Sequence, residues 1–266
     1  MPARRAVSTG LLGLILLAEL TIAAGLLSRP APPAPLVVGD HRTVELIGTE
    51  DGRTAALLDR VAAQIGPAVS AVEGFWGTDW SRRIVVEATA TPAGFAAAAG
   101  APVAADTAAV TVAASVDPWR RQATGQRIVL APGAGQMSPA ALRIVLGHEL
   151  FHYATRAVTA VDAPRWLTEG VADFVARAPA AVPDGTVLTL PSDAELDAAG
   201  PGRANAYDRA WWFARFVADR YGADRLRALY LAACGVGRTD LADAVQRTLG
   251  AGLPDLLAGW QRWATG

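Results

Sequence analysis

The chain has no lysine: all 24 basic residues are arginine. It has one cysteine, Cys234, and three histidines. A lone cysteine excludes an intrachain disulfide and any metal site built from several thiolates. Cys234 lies in a Leu-Ala-Ala-Cys run and reads as a small buried hydrophobe. Charge is also scarce. Only 18% of residues are charged and the net charge is −1, so no basic excess draws the chain to nucleic acid or to an anionic surface. Apolar residues are plentiful, at 52%, which supplies a packed core and excludes a disordered chain. A length of 266 residues suits one or two domains.

The N-terminus carries a membrane-targeting signal. Arg4 and Arg5 precede an apolar run from Ala6 to Leu27. A positive flank before such a run matches a secretory signal or an uncleaved signal anchor, and the run exceeds the roughly 20 residues that span a bilayer. Glu19 inside it costs roughly 2.5–3.5 kcal/mol at the bilayer centre, which the surrounding leucines and isoleucines offset. Small residues at Ala23-Ala24-Gly25 also allow cleavage. Either way the basic flank stays cytoplasmic, and the chain beyond Leu27 is expected outside the cell membrane. Residues 1–28 are therefore assigned to the signal peptide or anchor. Residues 29–35, with prolines at 30, 32, 33 and 35, form a semi-extended linker. Residues 36–266 form the folded domain.

Within that domain the patterning predicts strands first and helices afterwards. Arg42–Ile47, Arg83–Ala88, Val110–Val116 and Arg127–Ala131 read as strands. Ala55–Val72 has apolar residues at helical spacing and reads as a helix bent or interrupted at Pro67. Phe75, Trp76 and Trp80 are expected in a loop packed on the core. The alanine-rich stretch Phe95–Ala105 is compatible with a helix or a loop. After Pro132, helices are expected over Pro139–Arg156, with Ser138 as cap and Pro139 at the first turn, and over Pro164–Arg177, capped by Asp162. Four more are expected over Ala204–Tyr221, Ala223–Ala233, Leu241–Leu249 and Leu253–Trp263. This order gives an α+β domain: mixed strands with a helix, then a mostly helical half.

Two of the three histidines fall in His148-Glu149-Leu150-Phe151-His152. Residues i and i+4 share a helix face, so both imidazoles can reach one ion. Glu149 follows the first ligand, where it can take a proton from an activated water. Random placement gives this pattern in roughly one chain in a thousand of this composition. His41 lies far upstream and reads as an exposed residue. Gly147 inside the helix costs about 1 kcal/mol relative to alanine, which points to a close approach by another backbone.

Downstream lies Arg165-Trp166-Leu167-Thr168-Glu169-Gly170-Val171-Ala172-Asp173. With these paired motifs the chain resembles the gluzincins, the thermolysin-like zinc metallopeptidases, and within them the peptidase-MA-like branch, in which a Trp-Leu-x-Glu-Gly run recurs. Phe151 departs from the small residue common at its position. The resemblance implies a zincin-type helical half and Zn²⁺ held by His148, His152 and Glu169. It further implies Glu149 as general base and Asp173 as the acceptor that orients His148. It also points to Tyr207, at the head of a later helix, as the group that stabilises the oxyanion, with Arg203, Arg209 and Tyr153 as rivals. The implied activity is hydrolysis of peptide bonds in a peptide or protein substrate. Two alternatives use the same residues: a metallopeptidase-fold binding module that does not cleave, and a zinc amidase acting on cell-wall peptides. The strands Val110–Ala114 and Arg127–Leu130 are candidates for an edge that pairs with an extended substrate.

Overall fold

The computed structural model describes residues 35–49, 51–101 and 103–265. The expected signal or anchor over residues 1–28, and the linker up to residue 34, lie outside the described residues. Among the described residues no helix is long and apolar enough to cross a membrane.

The N-terminal half is a mixed five-stranded sheet in the order β1-β2-β3-β7-β4. It comprises β1 (Leu36–Val38), β2 (Arg42–Ile47), β3 (Arg83–Ala88), β4 (Ala109–Val112) and β7 (Arg127–Leu130). Strands β2, β3 and β7 are parallel, with Val44 opposite Ile84 and Val86 opposite Ile128. The flanking strands β1 and β4 run antiparallel to their neighbours. Residues 110–116, expected as one strand, are two: β4 ends at Val112, and Ser115–Asp117 (β5) leaves the sheet to pair with Gln122–Thr124 (β6) in a separate hairpin. β1 was not anticipated from the sequence.

Helix α1 (Gly52–Trp76) begins at Asp51, whose side chain accepts from the Arg53 and Thr54 amides. It runs unbroken through Pro67, contrary to the expected interruption. The carbonyl that Pro67 leaves without a helical donor belongs to Ala63, and both residues lie on the exposed face, where water can take the place of the missing donor. Phe75 and Trp76, expected in a loop, form its last turn. The alanine-rich stretch yields α2 (Pro92–Ala99).

Strand alternation divides the burial. Ile84, Val86, Ile128 and Leu130 face the main core, which also takes in Ile65, Val69 and Val72 of α1. Val129 faces the other way and packs with Phe95 of α2. The C-terminal half is helical: α3 (Pro139–Thr155), α4 (Arg165–Ala176), α5 (Asp193–Leu196), α6 (Pro201–Tyr221), α7 (Ala223–Cys234), α8 (Leu241–Leu249) and α9 (Leu253–Thr265). The domain is α+β, as its patterning predicts. Cys234 is buried, and so are Trp212, Phe213, Phe216 and Val217 of α6.

Candidate metal centre

Helix α3 starts where its caps place it. The Ser138 hydroxyl accepts from the Ala141 amide at 3.2 Å, and Pro139 occupies the first turn. Leu142, Leu146 and Leu150 recur every four residues and are fully buried, which fixes the rotation of the helix. His148 and His152 consequently emerge together on another face. Helix α4 is oriented the same way by buried Leu167 and Val171, so that Glu169 faces α3. Its start differs from expectation: Asp162 does not cap it but pairs with Arg238 at 2.6 Å, and Pro164 stands at the cap position without a side-chain bond.

Two glycines let the three helices close on one another. A Cβ added at Gly147 would lie 3.2 Å from the Cβ and 3.3 Å from the Cα of Ala176, which is the close approach of α3 and α4 expected from the sequence. One added at Gly170 would lie 2.7 Å from the carbonyl carbon of Ala210 in α6. Glu169, next to Gly170, is thereby carried on a helix wedged between two backbones.

His148, His152 and Glu169 converge. Nε2 of His148 lies 3.1 Å from Nε2 of His152 and 3.1 Å from Oε2 of Glu169, and the remaining separation is 3.4 Å. Nδ1 of His148 meets Oδ1 of Asp173 at 2.9 Å. An ionised carboxylate only accepts, so Nδ1 carries the proton and Nε2 presents a lone pair to the Glu169 carboxylate. Two acceptors 3.1 Å apart need positive charge between them, a proton or a metal ion. The same demand sets the proton affinity of both groups. Burial opposes charge on His148, but hydrogen bonds to Asp173 and Glu169 and their negative charge outweigh it and hold the ring's pKa well above the usual imidazole value. Burial likewise opposes charge on Glu169, yet the attraction of His152 and the hydrogen bonds of both rings hold its carboxyl well below the usual range. Ligand atoms held about 2.0–2.1 Å from one tetrahedral ion stand about 3.3 Å apart. The observed spacing fits, and the group can hold a metal ion.

The side chain of Asp173 is held from behind. Arg177 Nη1 approaches its Oδ2 at 3.1 Å, Arg177 Nη2 donates to Asp208 at 2.8 Å, and the guanidinium stacks 3.8 Å over Trp211. Glu149 is buried beside the centre. Its Oε2 lies 2.7 Å from the hydroxyl of Thr111 in β4, the nearer and charged acceptor for that single proton. Tyr207 lies over the centre, with its ring 6.4 Å from that of His148. Burial, with Glu169 adding to it, pushes its phenol upward and keeps it a proton donor.

The three rivals of Tyr207 separate. Tyr153 donates to the Arg83 carbonyl, the nearer of two within reach, and lines a different pocket, and Arg209 is held by Thr189 and Glu195 outside the cleft. Arg203 pairs with Asp106 in a smaller cavity that it shares with Tyr207 and His148. His41, exposed in the β1–β2 turn, takes no part.

A cleft of about 620 Å³ opens on the centre, walled on one side by Ala109, Val110 and Thr111. β4 is an edge of the sheet. The Ala131 amide donates to the Ala108 carbonyl, and residues of an antiparallel pair alternate, so residues 108, 110 and 112 bond to β7. Ala109 and Thr111 turn their main-chain groups to the open edge.

Sequence reasoning missed Thr111 and Arg156. Thr111 is a polar side chain at an inward position of its strand, a signal that the alternation of Ala-Val-Thr-Val offered. Arg156 lies four residues beyond His152, in helical register with the two imidazoles. Comparison with models of known families, with curated proteins and with solved structures finds no match.

Proposed function

We propose that the chain is a zinc-dependent endopeptidase of the gluzincin kind. The observation that carries this reading is the convergence of His148 Nε2, His152 Nε2 and Glu169 Oε2 within 3.1–3.4 Å, with the Glu149 carboxylate beside them in an open cleft. Two imidazoles and one carboxylate suit zinc better than calcium or magnesium, which favour all-oxygen sites. Three protein ligands leave a further position open, the arrangement of catalytic rather than structural zinc.

Zinc in such a donor set supplies Lewis acidity and makes water an effective nucleophile near neutral pH. Glu149 is the base that takes the proton from the attacking water and hands it to the leaving amine. Thr111 fixes that carboxylate, and Asp173, backed by Arg177, fixes the ring of His148. The phenol of Tyr207 donates to the oxyanion of the tetrahedral intermediate. The outward main-chain groups of Ala109 and the Thr111 amide pair with an extended peptide, as an added strand does. The N-terminal segment directs this domain to the outer side of the cell membrane, anchored there or released by cleavage, where its peptide or protein substrate is met.

The test is metal content and peptide hydrolysis of wild type, Glu149→Gln and Glu169→Ala. Wild type and Glu149→Gln should hold one zinc each and Glu169→Ala should lose it. Hydrolysis by Glu149→Gln should fall by about 10²–10⁴-fold or more. Undiminished hydrolysis by Glu149→Gln would remove the base, and a wild type without stoichiometric metal would remove the whole reading. Zinc retained with no activity on proteins marks a binding module, and activity confined to cell-wall peptides marks an amidase.

A further inference from the structure

Arg156 is a cation in the cleft without a counterion among the described residues. It ends α3, one turn past His152, and lines the same cleft as Glu149 and Glu169. Its Nη2 donates to the outward carbonyl of Thr111 at 2.6 Å. Its Nε is enclosed and bonds to nothing, and among the described residues no carboxylate lies within ion-pair distance of it. Arg165, the other guanidinium of the cleft, pairs with Asp197 at 3.0 Å, and the charges of Glu149 and Glu169 are those a divalent ion would offset. Arg156 is fixed in place by its bond to the edge of the sheet. Its enclosed Nε is out of a ligand's reach, but Nη1 is not enclosed and makes no hydrogen bond among the described residues, so it is the donor that an anion in the cleft would meet.

We propose that Arg156 binds a carboxylate of the peptide, from an acidic side chain or a free C-terminus, and so makes the cleft selective for substrates carrying negative charge on the His152 side of the metal centre. The substrate class rests on the peptidase reading; the carboxylate site does not. Arg156 also caps the Thr111 carbonyl, so an added strand can use Ala109 and the Thr111 amide but not that carbonyl. Pairing along the edge therefore stops where the charged group is gripped, which fixes the register of the peptide.

The experiment compares matched peptides that differ in one group: glutamate against glutamine near the scissile bond, and a free against an amidated C-terminus. The full chain loaded with zinc should favour one anionic member by about tenfold to a hundredfold in kcat/KM, the range of a charge-assisted hydrogen bond. The pair that shows the preference identifies the source of the carboxylate. In Arg156→Gln the ratio should collapse toward one, and Arg156→Lys should restore part of it. A ratio is internal to each preparation, so partial unfolding of a variant does not move it. Binding of the same peptides to Glu149→Gln, with and without Arg156→Gln, is measured by calorimetry. Charge-dependent binding that needs Arg156, in a chain that hydrolyses nothing, keeps the carboxylate site and discards the peptidase. Hydrolysis without charge preference, or a preference that Arg156→Gln retains, overturns the proposal and leaves the peptidase standing.

Discussion

Replacing Gly170 by alanine adds one methyl group and should cost the chain its metal more than its fold. The new Cβ would fall 2.7 Å from the Ala210 carbonyl carbon and closer still to the oxygen. Ordinary carbon contacts need about 3.5–4.0 Å, so α4 and α6 must part by roughly 1 Å. The obstacle is backbone, and no rotamer relieves it. Nor can α4 retreat freely toward α3, because Ala176 already abuts Gly147. Overpacking of this kind costs about 1–3 kcal/mol, while alanine in a helix recovers about 1 kcal/mol over glycine. The net loss is then about 0–2 kcal/mol, or up to about 8 °C in Tm for a domain of this size. The metal centre is less tolerant, since ligand distances must hold within about 0.2 Å. Glu169 is the neighbouring residue and moves with α4. Zinc affinity, measured by competition with an indicator chelator, should drop by about tenfold or more. Gly74→Ala in α1 is the control, because an added Cβ there meets nothing within 4 Å. It should leave zinc affinity unchanged and gain up to about 1 kcal/mol. If Gly170→Ala binds zinc as wild type does, the wedge does not position Glu169 and the reasoning fails.

Two more outcomes rest on the same geometry. Asp173→Asn removes the negative charge that faces His148 Nδ1 and leaves Arg177 with Asp208 as its only carboxylate among the described residues; zinc affinity should fall about 10–100-fold while the far-ultraviolet circular dichroism stays that of wild type. Chelation should abolish hydrolysis, leave the helical signal intact and be reversed by zinc. Free zinc at 100 times its Kd should add about 2.7 kcal/mol to stability, and a chain that unfolds on chelation would contradict this.

What could be read from the chain divides by range. β2, β3 and α8 fall where alternation and helical spacing place them, because each buries one face and the pattern is local. His148 and His152 were legible from helix periodicity, and Glu169 from the resemblance that the Trp-Leu-Thr-Glu-Gly run carries; the structure brings the three together. β1 was missed because three residues are too few to show a period. The break after Val112 was missed because only pairing partners distant in sequence distinguish a strand that stays in its sheet from one that leaves it. The cap at Asp162 misled because the helix begins only at Arg165, with Pro164 at the cap position, and Asp162 pairs instead with Arg238, 76 positions away. The tie between Thr111 and Glu149 spans 38 positions, and that between Arg156 and Thr111 spans 45. Local patterning marks such residues as unusual but cannot say what they meet.

The converging ligand atoms and the Glu149 carboxylate are held by different parts of the fold. The three converging atoms belong to α3 and α4, whose opposite faces are locked into the core by Leu142, Leu146, Leu150, Leu167 and Val171. The carboxylate of Glu149, though carried on α3, is bonded to β4, the strand whose open edge faces the cleft. Arg156 ties the end of α3 to the same residue of β4 through the Thr111 carbonyl. On the function proposed above, a displacement of β4 would move the base and the peptide-pairing edge together, relative to a metal position that the helices keep fixed. Thr111 would then be the point at which binding along the edge is felt by the proton-transferring group. In a preorganised site the base and the bound carbonyl must share one frame, and a strand that carries both contacts provides it.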